Sequence, residues 1–150
     1  MSIKILVTDP IADKGINLLK DEGFEVIYKP NIKSEEYKEY VNDIDGWIIR
    51  SGTKINDGSI NISKKLQIIG RAGVGVDNID IKSATSRGII VMNVPDGNTV
   101  SAAEHTVAML LSLSRNIQLG HSSLKDGRWD RHKLTGTELQ YKTLGVVGLG

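Results

Sequence analysis

The segment from Gly70 to Asp80, with the sequence G-R-A-G-V-G-V-D-N-I-D, contains the residues best suited to bind an anion. It follows a short apolar run that predicts a β-strand, so its glycines lie where a ligand-binding loop is expected. Three successive backbone N–H groups in its central G-V-G could surround a carboxylate without help from a side chain. A glycine-rich turn leading into a helix capped by Asp77 or Asp80 would explain the same residues equally well.

A second glycine motif lies at the end of the sequence. Residues Lys142 to Gly150 predict a short apolar strand that runs into a Gly-x-Gly turn made by Gly148 and Gly150. In dinucleotide-binding folds the first glycine permits the tight turn, and the second lets the backbone approach a pyrophosphate. The pair alone is weak evidence, because many strand-to-turn junctions contain one. Since a native chain rarely ends on a buried strand, we expect these 150 residues to be part of a longer protein.

The composition narrows the class of protein and of partner. With 39% hydrophobic and 25% charged residues, it is typical of a soluble globular protein. A net charge of +1 without a basic stripe gives no reason to expect nucleic acid or a membrane as partner. The absence of cysteine excludes disulfides and thiolate metal sites, and we predict no metal site. No signal peptide or membrane-spanning stretch is recognisable, so the expected location is the cytoplasm.

Short apolar runs alternate with segments of helical spacing over the first hundred residues. We predict helices from Ile11 to Leu19, more weakly from Ser34 to Val41 with Ser34 as a cap, and from Asp80 to Gly88. The five predicted strands are Ile3–Val7, Phe24–Tyr28, Trp47–Ile49, Leu66–Ile69 and Ile89–Met92. This alternation predicts an α/β fold, with a parallel sheet covered on both faces.

The pattern changes at Asn98, where we place a domain boundary. A long helix is predicted from there to Ser114, with Asn98 or Thr99 as its cap or with a capping box formed by Ser101 and Glu104. Its apolar surface is broad enough to suggest burial between domains or subunits. We expect residues 120–139 to be irregular, and the final strand to follow them.

These segments together resemble the D-2-hydroxyacid dehydrogenases. The resemblance begins in the Gly70–Asp80 segment and covers essentially the whole chain in order. The other matching segments are Arg50–Thr53, Asn93–Pro95, Gly97–Glu104, Lys125–Trp129, Gly136–Leu139 and Lys142–Gly145.

The resemblance implies a particular domain organisation. Residues 1–97 would be the first segment of a flavodoxin-like, parallel-sheet substrate domain that a C-terminal return completes. Residues 98–150 would begin a Rossmann NAD-binding domain and would end within its Gly-x-Gly-x-x-Gly motif. Members of the family assemble through the nucleotide-binding domain, so a homodimer or tetramer is expected.

The resemblance also implies roles for the two glycine motifs. The backbone of Gly73, Val74 and Gly75 would hold the substrate carboxylate, and Val74 would lie against the nicotinamide end of NAD. Gly148 and Gly150 would approach the cofactor pyrophosphate.

Two arginines are further candidates for contact with the substrate. Arg50, with the neighbouring Ser51, matches a substrate-contacting position, and a guanidinium suits both carboxylate and phosphate. Some relatives carry a second arginine two positions further on, where this chain has Gly52. Arg131 matches a segment that reaches the active site of the neighbouring subunit, where it would bind a substrate phosphate. Solvent-exposed charges are the alternative explanation for both arginines.

We expect no catalytic residue within this chain. His105 follows Glu104, and adjacent residues on a helix do not face each other. We therefore interpret His105 as a structural histidine, and the resemblance places the general-acid histidine beyond residue 150.

The activity that the resemblance implies is NAD-dependent oxidation of 3-phosphoglycerate to 3-phosphohydroxypyruvate, a step of L-serine biosynthesis. One alternative is reduction of glyoxylate or hydroxypyruvate, or oxidation of another D-2-hydroxy acid. A different class of alternative is an NAD-binding, corepressor-like protein without enzymatic activity. A phosphorylation-switched receiver domain is excluded, since it requires a lysine near the end of the fifth strand and Asn93 stands there.

Overall fold

The computed structural model describes residues 2–33 and 35–148. Its chain divides into two compact units, Met1–Asn98 and Thr99–Gly150. The proposed cap Ser34 and the proposed cofactor residue Gly150 lie outside the described residues.

The first unit is built on a five-stranded parallel sheet, which confirms the predicted α/β class. The strands lie in the order β2-β1-β3-β4-β5, which is the order of flavodoxin-like sheets. Their bounds are β1 Lys4–Val7, β2 Glu25–Tyr28, β3 Gly46–Ile49, β4 Ile68–Arg71 and β5 Ile90–Met92. Strand β4 begins and ends two residues later than predicted, and this brings Arg71 into register with Ile49 of β3.

The described part of this unit has four helices beside the sheet: α1 Asp13–Asp21, α2 Lys38–Val41, α3 Asp57–Ile62 and α4 Ile81–Ser86. The predicted cap of α4 is confirmed, because the Asp80 carboxylate accepts the Ser83 N–H at 2.9 Å. Helix α2 is shorter than predicted, and its amino-terminal cap is Tyr37. Helix α3 was not predicted, although Asn56 and Ser59 form a reciprocal capping box at its start.

The two faces of the sheet differ in how well they are covered. On one face Leu6, Trp47, Ile49 and Ile69 pack into a buried core with side chains from α2, α3 and α4. On the other face α1 covers β1, with Ile16 packed against Ile5 and Val7. The prediction that helices cover both faces is therefore wrong for the β4–β5 side.

The uncovered part of the second face forms an apolar groove of about 560 Å³ that runs along β3, β4 and β5. Ile90 and Met92 lie beside Ile68 and Gly70 in the strand register, so they belong to this face. Ile90 is 60% exposed and Met92 is 55% exposed. A second layer is missing here because no helix within residues 2–33 and 35–98 packs against this face of β4 and β5.

The second unit contains α5 Thr99–Ser114, α6 Ile117–Lys125 and a 3-10 turn at Arg131–Lys133. The long helix is confirmed, but Ser101 lies inside its first turn and so cannot be its cap. The irregular region predicted for residues 120–139 is partly wrong, since α6 begins after a left-handed residue at Asn116 and continues to Lys125.

The predicted final strand is also wrong. Residues 142–148 do not form a strand, because a strand requires a hydrogen-bonded neighbour and this part of the described chain provides none.

Apolar side chains of α5 are exposed to solvent, namely Val100, Val107, Met109, Leu111 and Leu113. Within the residues described, no helix is both long and apolar enough to cross a lipid bilayer.

Candidate functional site

A cleft of about 430 Å³ lies beyond the carboxyl ends of β3, β4 and β5. Ligands of parallel α/β sheets bind at this end of the strands. Four of the predicted site residues line it: Arg50, Ser51, Gly73 and Val74. The loops that follow β3 and β4 are thus brought together, and Gly75 continues the second of them.

A buried carboxylate holds the loop from Arg50 to Thr53, called the Arg50 loop below. Asp9 follows the end of β1 and is 4% exposed. Its Oδ2 atom accepts the backbone N–H of Arg50 at 2.7 Å and that of Thr53 at 3.0 Å. A Cβ at position 52 would collide with the other oxygen, Oδ1 of Asp9. The loop therefore has no room for a second arginine at this position, where Gly52 stands.

The Arg50 guanidinium keeps most of its hydrogen-bonding capacity. Its Nη1 donates to the carbonyl oxygen of Pro10 at 3.3 Å, and the side chain is exposed. None of the ion pairs found among the described residues involves it. Its remaining N–H groups can therefore bind an anion in the cleft.

Arg71 supplies a second guanidinium that the sequence did not assign to the site. It is the last residue of β4, its side chain is partly buried, and it lines the same cleft as Arg50. Its Nε donates to Oδ1 of Asn78 at 3.3 Å. Its Nη1 lies over Gly73, where an added Cβ would collide with it. The signal in the sequence was an arginine after an apolar strand, but the strand was predicted to end two residues too early.

The glycine loop offers fewer free N–H groups than predicted. The N–H of Gly73 donates to the carbonyl oxygen of Arg71 at 2.9 Å, so it is not available to a ligand. The N–H groups of Val74 and Gly75 have no hydrogen-bond partner among the described residues. Of the three N–H groups predicted to surround a carboxylate, those of Val74 and Gly75 remain without a partner among the described residues.

The segment that follows β5 holds this loop in place. The Val94 N–H donates to the carbonyl oxygen of Gly73 at 3.0 Å, and the Asn93 amide donates to that of Val74 at 2.7 Å. The Val74 side chain is 39% exposed and is free to contact a ligand. The alternative role of the segment, a turn into a helix capped by Asp80, is also present, so one stretch of chain serves both purposes.

In the second unit, some basic residues of the 128–133 segment form ion pairs with aspartates and others do not. Arg128 pairs with Asp126 and with Asp130, each at 2.9 Å, and Lys133 pairs with Asp130 at 3.1 Å. Hydrogen bonds from Lys133 and then from the Ser123 hydroxyl hold the pKa of Asp130 below its usual value.

Arg131 differs from these neighbours. It is exposed and has no acidic partner within the described part of the chain. It lines a small pocket of about 290 Å³ together with Trp129, which is 77% exposed. Of the cofactor residues, Gly148 has φ +87°, a conformation that favours glycine. His105 is exposed on α5 without a hydrogen-bond partner in the described residues, so it is not the satisfied structural histidine that was expected.

Residues 5–144 match the sequence model of the D-isomer specific 2-hydroxyacid dehydrogenase catalytic domain. The chain belongs to the D-isomer specific 2-hydroxyacid dehydrogenases. The family resemblance inferred from the sequence is thereby confirmed.

Curated dehydrogenases of this family are similar along nearly the whole chain. The chain is 48% identical over 147 residues to D-3-phosphoglycerate dehydrogenase of Rattus norvegicus, which is 98% of this chain and 28% of that protein. It is 49% identical over 148 residues to D-3-phosphoglycerate dehydrogenase of Methanocaldococcus jannaschii, with 99% of this chain and 28% of that protein covered. The chain thus spans 28% of the length of these relatives.

Solved structures agree with this assignment to the dehydrogenases. NAD+-bound 3-phosphoglycerate dehydrogenase of Entamoeba histolytica superposes with a TM-score of 0.69 at 36% identity, covering 77% of this chain and 40% of that one. The NAD-dependent formate dehydrogenase of Staphylococcus aureus, in complex with NAD, gives a TM-score of 0.74 at 31% identity, covering 93% and 46%. The TT0316 protein of Thermus thermophilus gives 0.85 at 29% identity, covering 92% and 46%.

Proposed function

We propose that this chain provides the substrate-binding loops of an NAD-dependent dehydrogenase that oxidises 3-phosphoglycerate to 3-phosphohydroxypyruvate, a step of L-serine biosynthesis. The observation that carries the proposal is the similarity to curated D-3-phosphoglycerate dehydrogenases, which extends over 98–99% of this chain at 48–49% identity. The cleft adds independent support, because it combines two guanidiniums with the free backbone N–H of Val74, and the substrate carries a carboxylate and a phosphate.

The two anionic groups of the substrate have distinct partners in this proposal. The N–H groups of Val74 and Gly75 bind the carboxylate, and the missing Cβ at Gly73 leaves room for the Arg71 guanidinium beside them. Arg50 and Arg71, with the hydroxyl of Ser51, bind the remaining negative charge. Arg71 thus takes the part of the second arginine that position 52 lacks.

Arg131 is proposed as a further phosphate ligand, contributed to the site of a neighbouring subunit. The support is its lack of an acidic partner in the described residues, whereas Arg128 and Lys133 are already paired with aspartates. An unpaired guanidinium retains its donors for a phosphate, and a paired one has spent part of them.

NAD is the proposed cofactor, and it supplies the hydride acceptor when it is bound. The residues present fit this cofactor in two respects. Val74 exposes an apolar side chain beside the cleft, suitable for contact with a flat ring. Gly148 has the left-handed backbone that a phosphate-binding turn uses, with Gly150 as the second glycine of the motif.

The division of the chain into two compact units, Met1–Asn98 and Thr99–Gly150, supports the proposed domain organisation. Residues 1–97 form the first segment of the substrate domain, and residues 98–150 begin the NAD-binding domain. The uncovered groove beside Met92 supports a substrate domain that a returning segment completes. The exposed apolar face of α5 supports assembly as a homodimer or tetramer. The absence of cysteine fits a cytoplasmic enzyme.

No catalytic residue is assigned within residues 1–150, so the proposed enzyme takes its general base from elsewhere. We therefore expect the isolated chain to form no NADH from 3-phosphoglycerate and NAD+. The decisive measurement is kcat/KM of the enzyme that contains this chain, with 3-phosphoglycerate and with D-glycerate, its unphosphorylated counterpart.

A preference of at least about 100-fold for the phosphorylated acid is expected, since the loss of one or two hydrogen bonds to a charged group costs about 3 kcal/mol. Preference for D-glycerate, or faster reduction of glyoxylate or hydroxypyruvate, would instead identify the reductase. Binding of NAD without any turnover would identify a non-enzymatic NAD-binding protein.

A further inference from the structure

Asn78 makes three side-chain hydrogen bonds that join separate parts of the cleft wall. Its Nδ2 donates to the carbonyl oxygens of Arg50 and Thr53, each at 2.6 Å. Its Oδ1 accepts from Nε of Arg71 at 3.3 Å. Both amide protons and one acceptor site of this side chain are therefore used within the site.

The Arg50 loop is held from two sides with opposite polarity. Asp9 accepts the N–H groups of Arg50 and Thr53, and Asn78 donates to the carbonyl groups of the same two residues. A shift of the loop in either direction would break hydrogen bonds to one of these side chains. The loop therefore has its binding shape before a ligand arrives.

The Asn78 side chain also sets the direction of the Arg71 guanidinium. With Nε bound to Asn78, the two Nη groups form the free edge, and Nη1 lies over Gly73 at the cleft. One side chain thus ties the backbone that carries Arg50 to the guanidinium of Arg71. Such preorganisation improves binding because the cost of ordering both cations is met before the ligand binds.

We propose that Asn78 is a positioning residue, which fixes Arg50 and Arg71 relative to each other so that they bind the anionic substrate as one preformed site. The proposal rests on the proposed function, because the substrate is the anion that this site would bind. The position needs a side chain that donates two hydrogen bonds and accepts one. Among side chains of this length only the asparagine amide does so, since aspartate lacks the two donors and alanine lacks all three groups.

The test compares Asn78→Asp and Asn78→Ala in the enzyme that contains this chain. Asn78→Asp keeps the shape but places a carboxylate against two carbonyl oxygens. For both variants we expect the KM for 3-phosphoglycerate to rise roughly tenfold, as for the net loss of one or two hydrogen bonds. The KM for NAD+ and kcat at saturating substrate should change less than about threefold.

The split between KM and kcat separates positioning from a structural role. A residue needed only for folding would lower kcat through a smaller active fraction and would leave the KM of the surviving enzyme unchanged. That result, or an unchanged KM in a folded Asn78→Ala variant, would overturn the proposal. The matched control is Asn17→Asp, the same change at an exposed position on α1, and it should alter neither constant.

A second measurement on the unmodified protein keeps the proposal testable if both variants fail to fold. The Arg71 Nε–H should exchange with solvent at least several-fold more slowly than that of Arg50 in NMR spectra, because only the former is bound to Asn78. Equal exchange rates would refute the link. Slow exchange in an enzyme that does not oxidise 3-phosphoglycerate would count against the proposed function alone.

Discussion

The indole N–H of Trp47 donates a hydrogen bond of 3.0 Å to the hydroxyl of Thr8, and both residues are fully buried. The Thr8 oxygen also bonds the hydroxyl of Thr53 at 2.8 Å. Thr53 in turn donates its backbone N–H to Asp9. A continuous chain of hydrogen bonds therefore links the largest side chain of the core to the loop that carries Arg50.

Trp47→Phe should lower the free energy of unfolding by about 2 kcal/mol, because it removes this buried donor and leaves a cavity. Urea unfolding followed by circular dichroism measures the effect without relying on tryptophan fluorescence. The matched control is Trp129→Phe, at a side chain that is 77% exposed, and it should change stability by less than about 0.5 kcal/mol. Equal effects of the two substitutions would contradict the buried position of Trp47.

Gly73→Ala should weaken substrate binding, because its Cβ would displace the Arg71 guanidinium. We expect the KM for 3-phosphoglycerate to rise about tenfold, as for the loss of one charge-assisted hydrogen bond, and the melting temperature to change little. Steady-state kinetics and a thermal melt of the same preparation measure the two quantities. A variant with an unchanged KM would show that Arg71 does not contact the substrate.

Gly15→Ala should stabilise the protein by roughly 0.5–1 kcal/mol, because alanine forms helices better than glycine. Gly15 lies in α1, and an added Cβ would make an ordinary contact with the Ile11 side chain at 3.6 Å. Chemical denaturation measures the gain. The contrasting substitution Gly23→Ala should destabilise the protein, since Gly23 has φ +85° and any side chain there is strained. Destabilisation by the Gly15 change would mean that α1 is packed differently from the structure.

Asp43 should titrate far below an ordinary aspartate. Hydrogen bonds from Lys4, at 2.6 Å, and from Lys65 lower its pKa from 3.8 to about 2. Because the folded-state pKa lies below the unfolded one, the stabilisation is present above about pH 4 and is lost as the pH falls toward 2.

The stability difference between the protein and its Asp43→Asn variant should therefore shrink across this pH window. It should also shrink in 1 M salt, because the pair is exposed and exposed charges are screened. Carbon-detected NMR of the Asp43 carboxyl gives the pKa directly. A midpoint near 3.8 would show that the two lysines do not hold this carboxylate in solution.

The sequence predicted the parallel sheet well, because each strand is a distinct apolar run between turn residues. It did not predict α3, which has six residues and is too short to show a helical period. The prediction of a strand before Gly148 was wrong for a different reason. A strand needs a neighbouring strand to which it is hydrogen-bonded, and the described chain provides none at that place.

Prediction of the site was limited in the same way. Arg50 could be proposed from the family resemblance, whereas Arg71 depended on where β4 ends, and boundaries are the least certain part of a pattern. The role of Asn78 depends on contacts with Arg50 and Thr53, which lie far from it in sequence, and no local pattern records such contacts. The turn that occupies the Gly73 N–H is local, but residue types do not determine which conformation a glycine-rich loop adopts.

Sheets with this strand order usually leave a crevice between β1 and β3, and many members of the class bind their ligand there. Here the Asp9 carboxylate, at the end of β1, binds the backbone of Arg50 and Thr53 in the loop after β3. These hydrogen bonds close the space between the two strands. The open cleft is displaced sideways, toward β4 and β5. A ligand that approaches this end of the sheet therefore finds the crevice between β1 and β3 closed, and the cleft lined by Arg50 and Arg71 open.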